Sequence, residues 1–354
     1  WKDGEGFVIL HPIERIRKSN SGIITDYNKD QCFDKLDVVV LKLYMHKDAV
    51  KYIKMAQDLG QTVIIDTDDH FEQLPVDNLA FQTTDPKNSP ENNRKFLIDT
   101  YRVVDGIIAS TKFLEEKARK HNNVVYRVPN SLRPELFMFR QDYAGWKPTI
   151  GWVGIMLWRV EDIKEVGNAL RDVIESNDLI FHHSGIIMNR PHWFAEEIGM
   201  NPERMTGYVG ARPEYYGHVF MPIDIGIVPL TNNPFNEAKS NLKGLEYALS
   251  GIPFVASDTQ EYRDLAELGV GRIAKKPRDW KRHLEELLDP EVREAERIKN
   301  YEIVRRNFDI WLMKYKWSEA IELIHRETQK KRRNAKIAQG QTGFDLKKFQ
   351  VAQN

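Results

Sequence analysis

The sequence is poor in cysteine, in long apolar runs and in excess charge of either sign. Its only cysteine, Cys32, excludes an internal disulfide and a cysteine-rich zinc site. No apolar run approaches the roughly 20 residues that a membrane-spanning helix needs, and no signal peptide is visible. We therefore expect a cytoplasmic protein without an integral membrane segment, either free or peripheral at a membrane.

Balanced charge narrows the choice of function class further. Lysine and arginine together number 52, as do aspartate and glutamate, so the formal net charge of the 354 residues is zero. That balance argues against a globally basic nucleic-acid binder, although it leaves room for a local basic face. With 41% hydrophobic and 29% charged residues, the chain has a globular composition and enough material for about two domains of roughly 150 residues each.

Short apolar runs alternate with longer helical patterns along the chain. Residues 37–44 and 62–65 are rich in Val, Leu and Ile, and a helical pattern at 46–59 lies between them. This alternation predicts βαβ units and a mostly parallel sheet. It stops in an irregular stretch at 130–147 and restarts at Thr149–Val153, which predicts two α/β halves.

The domain boundaries are placed accordingly. We expect a first domain at 1–143 and a second at 144–300. Residues 301–326 form a helical region that is too apolar to be free and must pack on another part of the protein. The polar, basic tail at 327–354 has the composition of a disordered segment unless the body or a partner chain holds it, so it is also a candidate oligomer contact.

One segment in the second half carries the strongest chemical signal. A predicted helix follows a buried strand and a polar loop, with Asn236 or Ser240 as its N-cap, and Lys239, Lys243 and Glu246 fall on one stripe of it. Two lysines four residues apart near a helix start repel each other and oppose the helix dipole, unless an anion binds there. Free N–H groups and two ammonium groups therefore predict a diphosphate site, with Glu246 placed for a ribose diol. A solvated helix face with a Lys243–Glu246 ion pair explains the pattern equally well.

The string PFNEAKSNLKGLEYALSGIPFVASD at 234–258 resembles the nucleotide-sugar signature of GT-B-fold glycosyltransferases. More narrowly, it is similar to the large retaining family that uses nucleoside-diphosphate sugars (family 4-like, also called group 1). Residues 66–71, 128–130 and 150–154 resemble further segments of that family. The resemblance implies an α/β protein with two Rossmann-like domains, whose parallel sheets face each other across a cleft, and a C-terminal helix that crosses back to the first domain.

The resemblance also implies a donor site in the second domain. Glu246 matches the second glutamate of the family's paired motif, which binds the donor ribose. The first glutamate of that motif, which contacts the donor sugar, falls at Ala238 in this chain. Glu237 or Asn236 is therefore left to take its place.

The other matches surround the diphosphate and the base. Gly154 matches a loop glycine of the donor domain, Arg159 is the candidate phosphate contact, and Tyr208 lies where the family places the nucleobase. The backbone of 240–242 matches the positions that hold the diphosphate, and two lysines beside it would stabilise the leaving group. The implied donor site consists of Gly154, Arg159, Tyr208, Glu237, Lys239, Ser240, Asn241, Leu242, Lys243 and Glu246.

An acidic cluster follows the strand predicted at 62–65. Its D-x-D triplet, which begins at Asp66, is a pattern that binds Mg²⁺ or Mn²⁺ in metal-dependent glycosyltransferases. In a GT-B fold the same edge faces the cleft, so Asp68, Asp69 and His70 become candidates for acceptor binding or general base catalysis. A turn in which an aspartate caps the next segment is the structural alternative.

The resemblance to this family implies a hexosyl- or pentosyltransferase. It would move a sugar, with retention, from a UDP- or GDP-linked donor to a hydroxyl group of a glycan, a lipid-linked sugar, a protein or a modified nucleobase. No essential metal or other cofactor is expected. His182 and His183 lack partners at metal-ligand spacing and are expected to end a core strand.

Three alternatives stay open at this point. A DNA-modifying glycosyltransferase that acts on a hydroxymethylated base would need a basic strip, formed by Arg15, Arg17, Lys18 and the tail. A non-catalytic relative that only binds sugar nucleotides would explain the alanine at position 238. A metal-dependent enzyme would use the D-x-D triplet.

Overall fold

A computed structural model describes residues 8–10, 36–42, 45–76, 78, 80–84, 93–140, 147–157 and 159–339. Cys32, the basic candidates Arg15, Arg17 and Lys18, and the tail beyond residue 339 lie outside the described residues. Within these ranges no helix is long and apolar enough to cross a membrane.

The described residues form two parallel sheets covered by helices. The strands are β1 (Val8–Leu10), β2 (Val38–Lys42), β3 (Thr62–Thr67), β4 (Gly106–Ala109), β5 (Val125–Arg127), β6 (Ile150–Val153), β7 (Phe181–Ser184), β8 (Met205–Tyr208), β9 (Ile225–Val228), β10 (Phe254–Ser257) and β11 (Arg272–Ala274). The helices are α1 (Ala49–Asp58), α2 (Phe81–Thr84), α3 (Asn93–Val103), α4 (Lys112–Ala118), α5 (Val160–Lys164), α6 (Gly167–Ser176), α7 (Trp193–Ile198), α8 (Pro234–Glu237), α9 (Leu242–Leu249), α10 (Gln260–Glu267), α11 (Pro277–Glu286), α12 (Pro290–Phe308) and α13 (Ile310–Ala338). Short 3-10 helices cover Phe71–Gln73, Pro134–Leu136, Pro202–Arg204 and Pro213–Phe220.

The first sheet has the strand order β1-β2-β3-β4-β5, and every neighbouring pair is parallel. Its central strands are nearly continuous apolar runs because helices cover both faces. Alternate residues of a strand point to opposite faces, so Val63 and Ile65 pack against α1, α3 and α4, whereas Ile64 packs against α13. The predicted parallel α/β architecture is confirmed for this half.

The second sheet has the order β11-β10-β9-β6-β7-β8 and is also parallel throughout. The chain runs outward from β6 to β8, returns to the other side of β6, and continues from β9 to β11. The strand order therefore reverses between β6 and β9. Doubly wound sheets bind ligands at such a reversal, in the crevice outside the carboxyl ends of the strands. Gly154 follows β6 directly, and Pro229 follows β9, so both lie at this point.

The C-terminal helices connect the two sheets. Val304 of α12 packs in a core cluster of the second sheet. The carboxylate of Asp309 then caps α13 by accepting a hydrogen bond from the Trp311 N–H at 2.9 Å. On α13, Ile324 is fully buried against the first sheet, so close that a Cβ atom at Gly106 would collide with it. The predicted helix that crosses back to the first sheet is thus confirmed.

The basic run near the end of α13 is helical. The composition predicted disorder from residue 327 unless something holds the segment, but α13 continues to Ala338. Arg332 donates hydrogen bonds to the carbonyls of Gly60 at 2.6 Å and Gln61 at 2.8 Å. These bonds, together with the packing of α13, show that the body of the same chain holds this part of the tail.

Two segments cross between the sheets and are hydrogen-bonded to each other. The Leu132 N–H donates to the Phe308 carbonyl, and the Ile310 N–H donates to the Leu132 carbonyl, both at 2.9 Å. Val128 packs in a core cluster of the first sheet, whereas Phe137 packs in one of the second. The domain division placed after residue 143 stays a prediction, but this packing favours an earlier crossing, between Val128 and Leu132.

The packing of α13 gives a first testable prediction. Ile324→Ala should lower the free energy of unfolding by about 2–5 kcal/mol, because it leaves a cavity between the helix and the first sheet. Ile337→Ala, on the exposed side of the same helix, should change it by less than about 0.5 kcal/mol. Urea unfolding followed by circular dichroism measures both values, and equal effects of the two substitutions would contradict this packing.

Candidate active site between the two sheets

Loops at the carboxyl ends of both sheets meet in a seam. Asp69, which follows β3, lies with its Oδ1 3.3 Å from the Nζ of Lys239, which precedes α9. Thr111, which follows β4, donates from its Oγ1 to the carbonyl of Ala238 at 3.0 Å. The seam therefore joins the acidic edge of the first sheet to the segment of the second sheet that carries the predicted diphosphate site.

The helix predicted in this segment is divided into α8 and α9. Asn233 caps α8, since its Oδ1 accepts a hydrogen bond from the Asn236 N–H at 2.8 Å. The caps predicted at Asn236 or Ser240 are therefore wrong. Asn241 holds the N-cap position of α9 but forms no capping bond, and its Nδ2 donates to the carbonyl of Glu261 at 3.2 Å. The first N–H groups of α9 thus lack a cap from the Asn241 side chain.

Asn236 is buried, and its side chain links this segment to α5. Its Nδ2 donates to Asp162 Oδ1 at 2.6 Å and to the carbonyl of Thr231 at 3.0 Å. Asp162 Oδ1 also accepts from the Thr231 N–H at 2.8 Å, and Arg159 Nη1 lies 3.8 Å from Asp162 Oδ2. This network fixes the loop after β9 and holds Arg159, the candidate phosphate contact, on the same side of the sheet as α8.

Lys243 belongs to an enclosed network. Its Nζ lies 2.6 Å from Glu246 Oε2 and 3.0 Å from Tyr216 Oη. Burial alone would lower the pKa of Lys243, but Glu246 and Tyr216 outweigh it and raise that pKa above its usual value. The Lys243–Glu246 ion pair of the solvated alternative does form, but Glu246 is only 5% exposed, so this stripe of the helix is not a solvated face.

Lys239 is also largely enclosed, with 16% of its side chain exposed. Its ammonium group lies 4.1 Å from the centre of the Phe235 ring and beside Asp69. Burial lowers its pKa and so does the charge of Arg159, while Asp69 raises it; the net shift is downward. A buried ammonium group with a depressed pKa gains from any further anion that comes into contact with it.

Two other predicted site residues, Gly154 and Tyr208, lie at the ends of β6 and β8. The carbonyl of Gly154 accepts a hydrogen bond from His183 Nε2 at 2.8 Å. Tyr208 is half exposed and meets the ring of His182 edge-on at 5.1 Å. Both histidines are buried in a core strand, as the sequence predicted, although they lie in the middle of β7 and not at its end, and burial lowers the pKa of each to about 4.

Ala238, which corresponds to the family's first glutamate, is a core residue in this structure. Ala238 is completely buried in the core cluster of the first sheet. Next to it, Glu237 Oε1 accepts from the Gln260 N–H at 3.0 Å and lies 3.2 Å from Arg263 Nη2. Glu237 thus holds the start of α10. A sugar contact from Glu237 stays a prediction.

The acidic cluster is paired with lysines from both sheets. Lys42, at the end of β2, lies with its Nζ 3.0 Å from Asp66 Oδ2 and 2.9 Å from Asp68 Oδ2. Burial raises the pKa of Asp66, while Lys42 opposes that shift. The 3-10 helix that follows has His70 at its N-cap position and no side-chain capping bond, so the alternative of a capping aspartate is wrong.

His70 directly follows Asp69 in the chain and is buried. It meets the ring of Phe113 edge-on at 5.4 Å, and burial lowers its pKa. Its Nε2 has no hydrogen-bond partner among the described residues. Beyond His70, a cavity of about 580 Å³ opens between the two sheets, lined by Phe71, Glu72, Gln73, Leu74, Pro75, Phe81, Thr84, Arg94, Asn233 and Pro234.

Comparison with solved structures identifies the fold. Sucrose-phosphate synthase from Thermosynechococcus elongatus superposes with a TM-score of 0.60 at 14% identity, over 93% of this chain and 81% of that one. Anabaena HepE in complex with UDP and glucose gives 0.60 at 12% identity, over 82% and 79%. A UDP-forming α,α-trehalose-phosphate synthase from Burkholderia xenovorans gives 0.56 at 12%, over 89% and 80%. The chain has the GT-B fold of these glycosyltransferases. No protein-family model matches the sequence, and no curated protein matches it with significance.

The GT-B arrangement brings together residues that the sequence did not single out. Lys42, Tyr216 and Asp162 each bind a candidate site residue from 24 to 74 positions away in the chain. Lys42 and Asp162 carry no local signal apart from their charge, and Tyr216 is one of several tyrosines in the sequence. Among the described residues no group of three or more His, Cys, Asp or Glu side chains is arranged to hold a metal ion.

The buried histidines beside Gly154 predict a pH dependence. Their folded-state pKa values of about 4 lie below the usual 6.5, so the unfolded chain binds more protons between those two values. The free energy of unfolding should therefore fall as pH drops from 6.5 towards 4, by up to about 1.4 kcal/mol per pH unit for each histidine. Chemical denaturation at several pH values measures this slope, which should be shallower in His183→Gln. An unchanged slope in that variant between pH 6.5 and 5 would contradict the account.

Proposed function

We propose that this chain is a glycosyltransferase that moves a sugar from a nucleoside-diphosphate donor to a hydroxyl acceptor, with retention and without an essential metal. One observation carries the proposal. Two largely enclosed lysines flank the start of α9, whose N-cap residue Asn241 forms no capping bond, at the point where the order of the second sheet reverses. Enclosed positive charge at such a site favours a diphosphate.

In this proposal the diphosphate lies at the start of α9. The backbone of Ser240, Asn241 and Leu242 would donate to phosphate oxygens, and Lys239 and Lys243 would offset their charge. Breaking the bond between sugar and diphosphate leaves negative charge on the leaving group, and donors held in place before the reaction stabilise that charge. This electrostatic stabilisation is the main catalytic contribution that we assign to the chain.

The rest of the donor would extend from α9 in two directions. Glu246, at the enclosed end of its helix stripe, would accept hydrogen bonds from the ribose diol, and Tyr208 would lie beside the base. Arg159 would contact phosphate near the Gly154 loop. A UDP-linked donor is the first choice because HepE, which shares the fold, was crystallised with UDP and with UDP-glucose; a GDP-linked donor is the alternative.

The acceptor would enter from the first sheet. The cavity beside Phe71 adjoins the acidic cluster and reaches Pro234 on the donor side. An acceptor in this cavity would have its hydroxyl group near Asp68 and Asp69, which would bind it, with His70 behind them. We propose a cytoplasmic location for the reaction, free or at a membrane surface.

The lysines give the direct test of the donor site. Lys239→Met and Lys243→Met should each weaken UDP binding by about tenfold or more in calorimetry, since each removes a charged hydrogen bond. Lys281→Met, which removes an exposed lysine on α11, is the matched control and should bind UDP as the unmodified protein does. Thermal melts verify that the variants fold. Unchanged affinity in both site variants would overturn the proposed site.

Metal independence is tested separately. Lys42 places its ammonium group between the carboxylates of Asp66 and Asp68, where a D-x-D metal would lie. Hydrolysis or transfer of UDP-glucose should therefore continue unchanged in excess EDTA and gain nothing from added Mg²⁺ or Mn²⁺. Loss of turnover in EDTA that is restored by Mn²⁺ would favour the metal-dependent alternative.

A second candidate function is a non-catalytic protein that binds sugar nucleotides. The observation that favours it is Ala238, which is packed into the first sheet's core at the position of the family's sugar-binding glutamate. Such a protein would bind UDP with the same lysines but would not turn over any donor. Release of UDP from UDP-glucose above the uncatalysed rate excludes this alternative.

A further inference from the structure

We propose that the donor's diphosphate displaces Asp69 from Lys239, so that donor binding releases a carboxylate of the first sheet for the acceptor. This inference rests on the proposed function and assigns Asp69 a second role, as the counter-ion of Lys239 before the donor binds. It predicts that the donor binds before the acceptor.

The pairing of the site's cations supports this assignment. Arg159 is paired with Asp162, and Lys243 with Glu246, both on the second sheet's side of the seam. Lys239 differs from them, because its carboxylate partner comes from the first sheet. A phosphate that contacts Lys239 must therefore compete with a group that belongs to the acceptor side.

Asp68 and Asp69, which are neighbours in the acidic cluster, pair with lysines of different sheets. Asp68 lies 2.9 Å from the ammonium group of Lys42 within the first sheet. Asp69 has its ion pair only with Lys239 among the described residues, at a longer 3.3 Å, and 36% of its side chain is exposed. Because Asp69 is the more exposed partner of this ion pair, a diphosphate that brings two negative charges can replace it beside Lys239 and repel it towards solvent.

The seam does not depend on this ion pair. Thr111 donates to the Ala238 carbonyl, and Asn130 Nδ2 donates to Ser240 Oγ at 2.8 Å. Both contacts are between neutral groups, so they persist when Asp69 leaves. The released carboxylate stays on the first sheet two residues before Phe71, which lines the cavity. There it can accept a hydrogen bond from an acceptor hydroxyl group.

A double-mutant cycle on UDP binding tests the competition. Asp69→Asn removes the competing charge and keeps the side-chain shape, so it should tighten UDP binding by about two- to tenfold in calorimetry. In a Lys239→Met background the same substitution should leave the UDP affinity unchanged. Asp99→Asn, on the outer helix α3, is the matched control for loss of one carboxylate and should have no effect.

The outcomes separate this inference from the proposed function. If the unmodified protein binds neither UDP nor GDP, the proposed function itself fails. If it binds UDP but Asp69→Asn binds it with equal or lower affinity, the displacement is contradicted while the donor site stands. An equal gain in the Asp99→Asn control would also contradict it, because the effect would then be one of overall charge. Thermal melts of all variants verify that they fold.

Discussion

Positive charge enclosed between the carboxyl ends of two parallel sheets is the constraint on which the rest of this structure depends. Lys239 and Lys243 are brought there by a turn and a short helix after β9, and both side chains are largely enclosed. Enclosed ammonium groups require nearby anions. The protein meets that requirement from two sides, with Glu246 on the same helix and Asp69 across the seam.

The small side chain of Ala238 helps to bring Lys239 close to the first sheet. The segment between α8 and α9 must approach the first sheet closely for Lys239 to reach Asp69, and a small side chain permits that approach. Ala238 is packed in the first sheet's core, and its carbonyl is bound by Thr111. A glutamate here would have to bury a carboxylate among apolar side chains, which is costly without a partner. The departure from the family's motif is thus consistent with a tight seam.

Sequence reasoning reached the architecture because the relevant signals are local. Apolar runs such as Val38–Val40 mark the strands, and the spacing of Lys239, Lys243 and Glu246 marks one helix stripe. It failed where the outcome depends on distant residues. Asn236 lies inside α8, which Asn233 caps, and its side-chain amide is held by Asp162, 74 positions earlier. The pairing of Asp68 with Lys42 and the crossing near Leu132 likewise arise from contacts that no local pattern encodes.

The account's central claim is that a nucleoside diphosphate binds at the start of α9, and hydrogen exchange of backbone amides tests it most directly. With saturating UDP, the amides of residues 240–245 and those of the loop after Gly154 should exchange more slowly, while the amides of α13 should be unaffected. Protection confined to the first sheet, or UDP binding with no protection in α9, would contradict the claim.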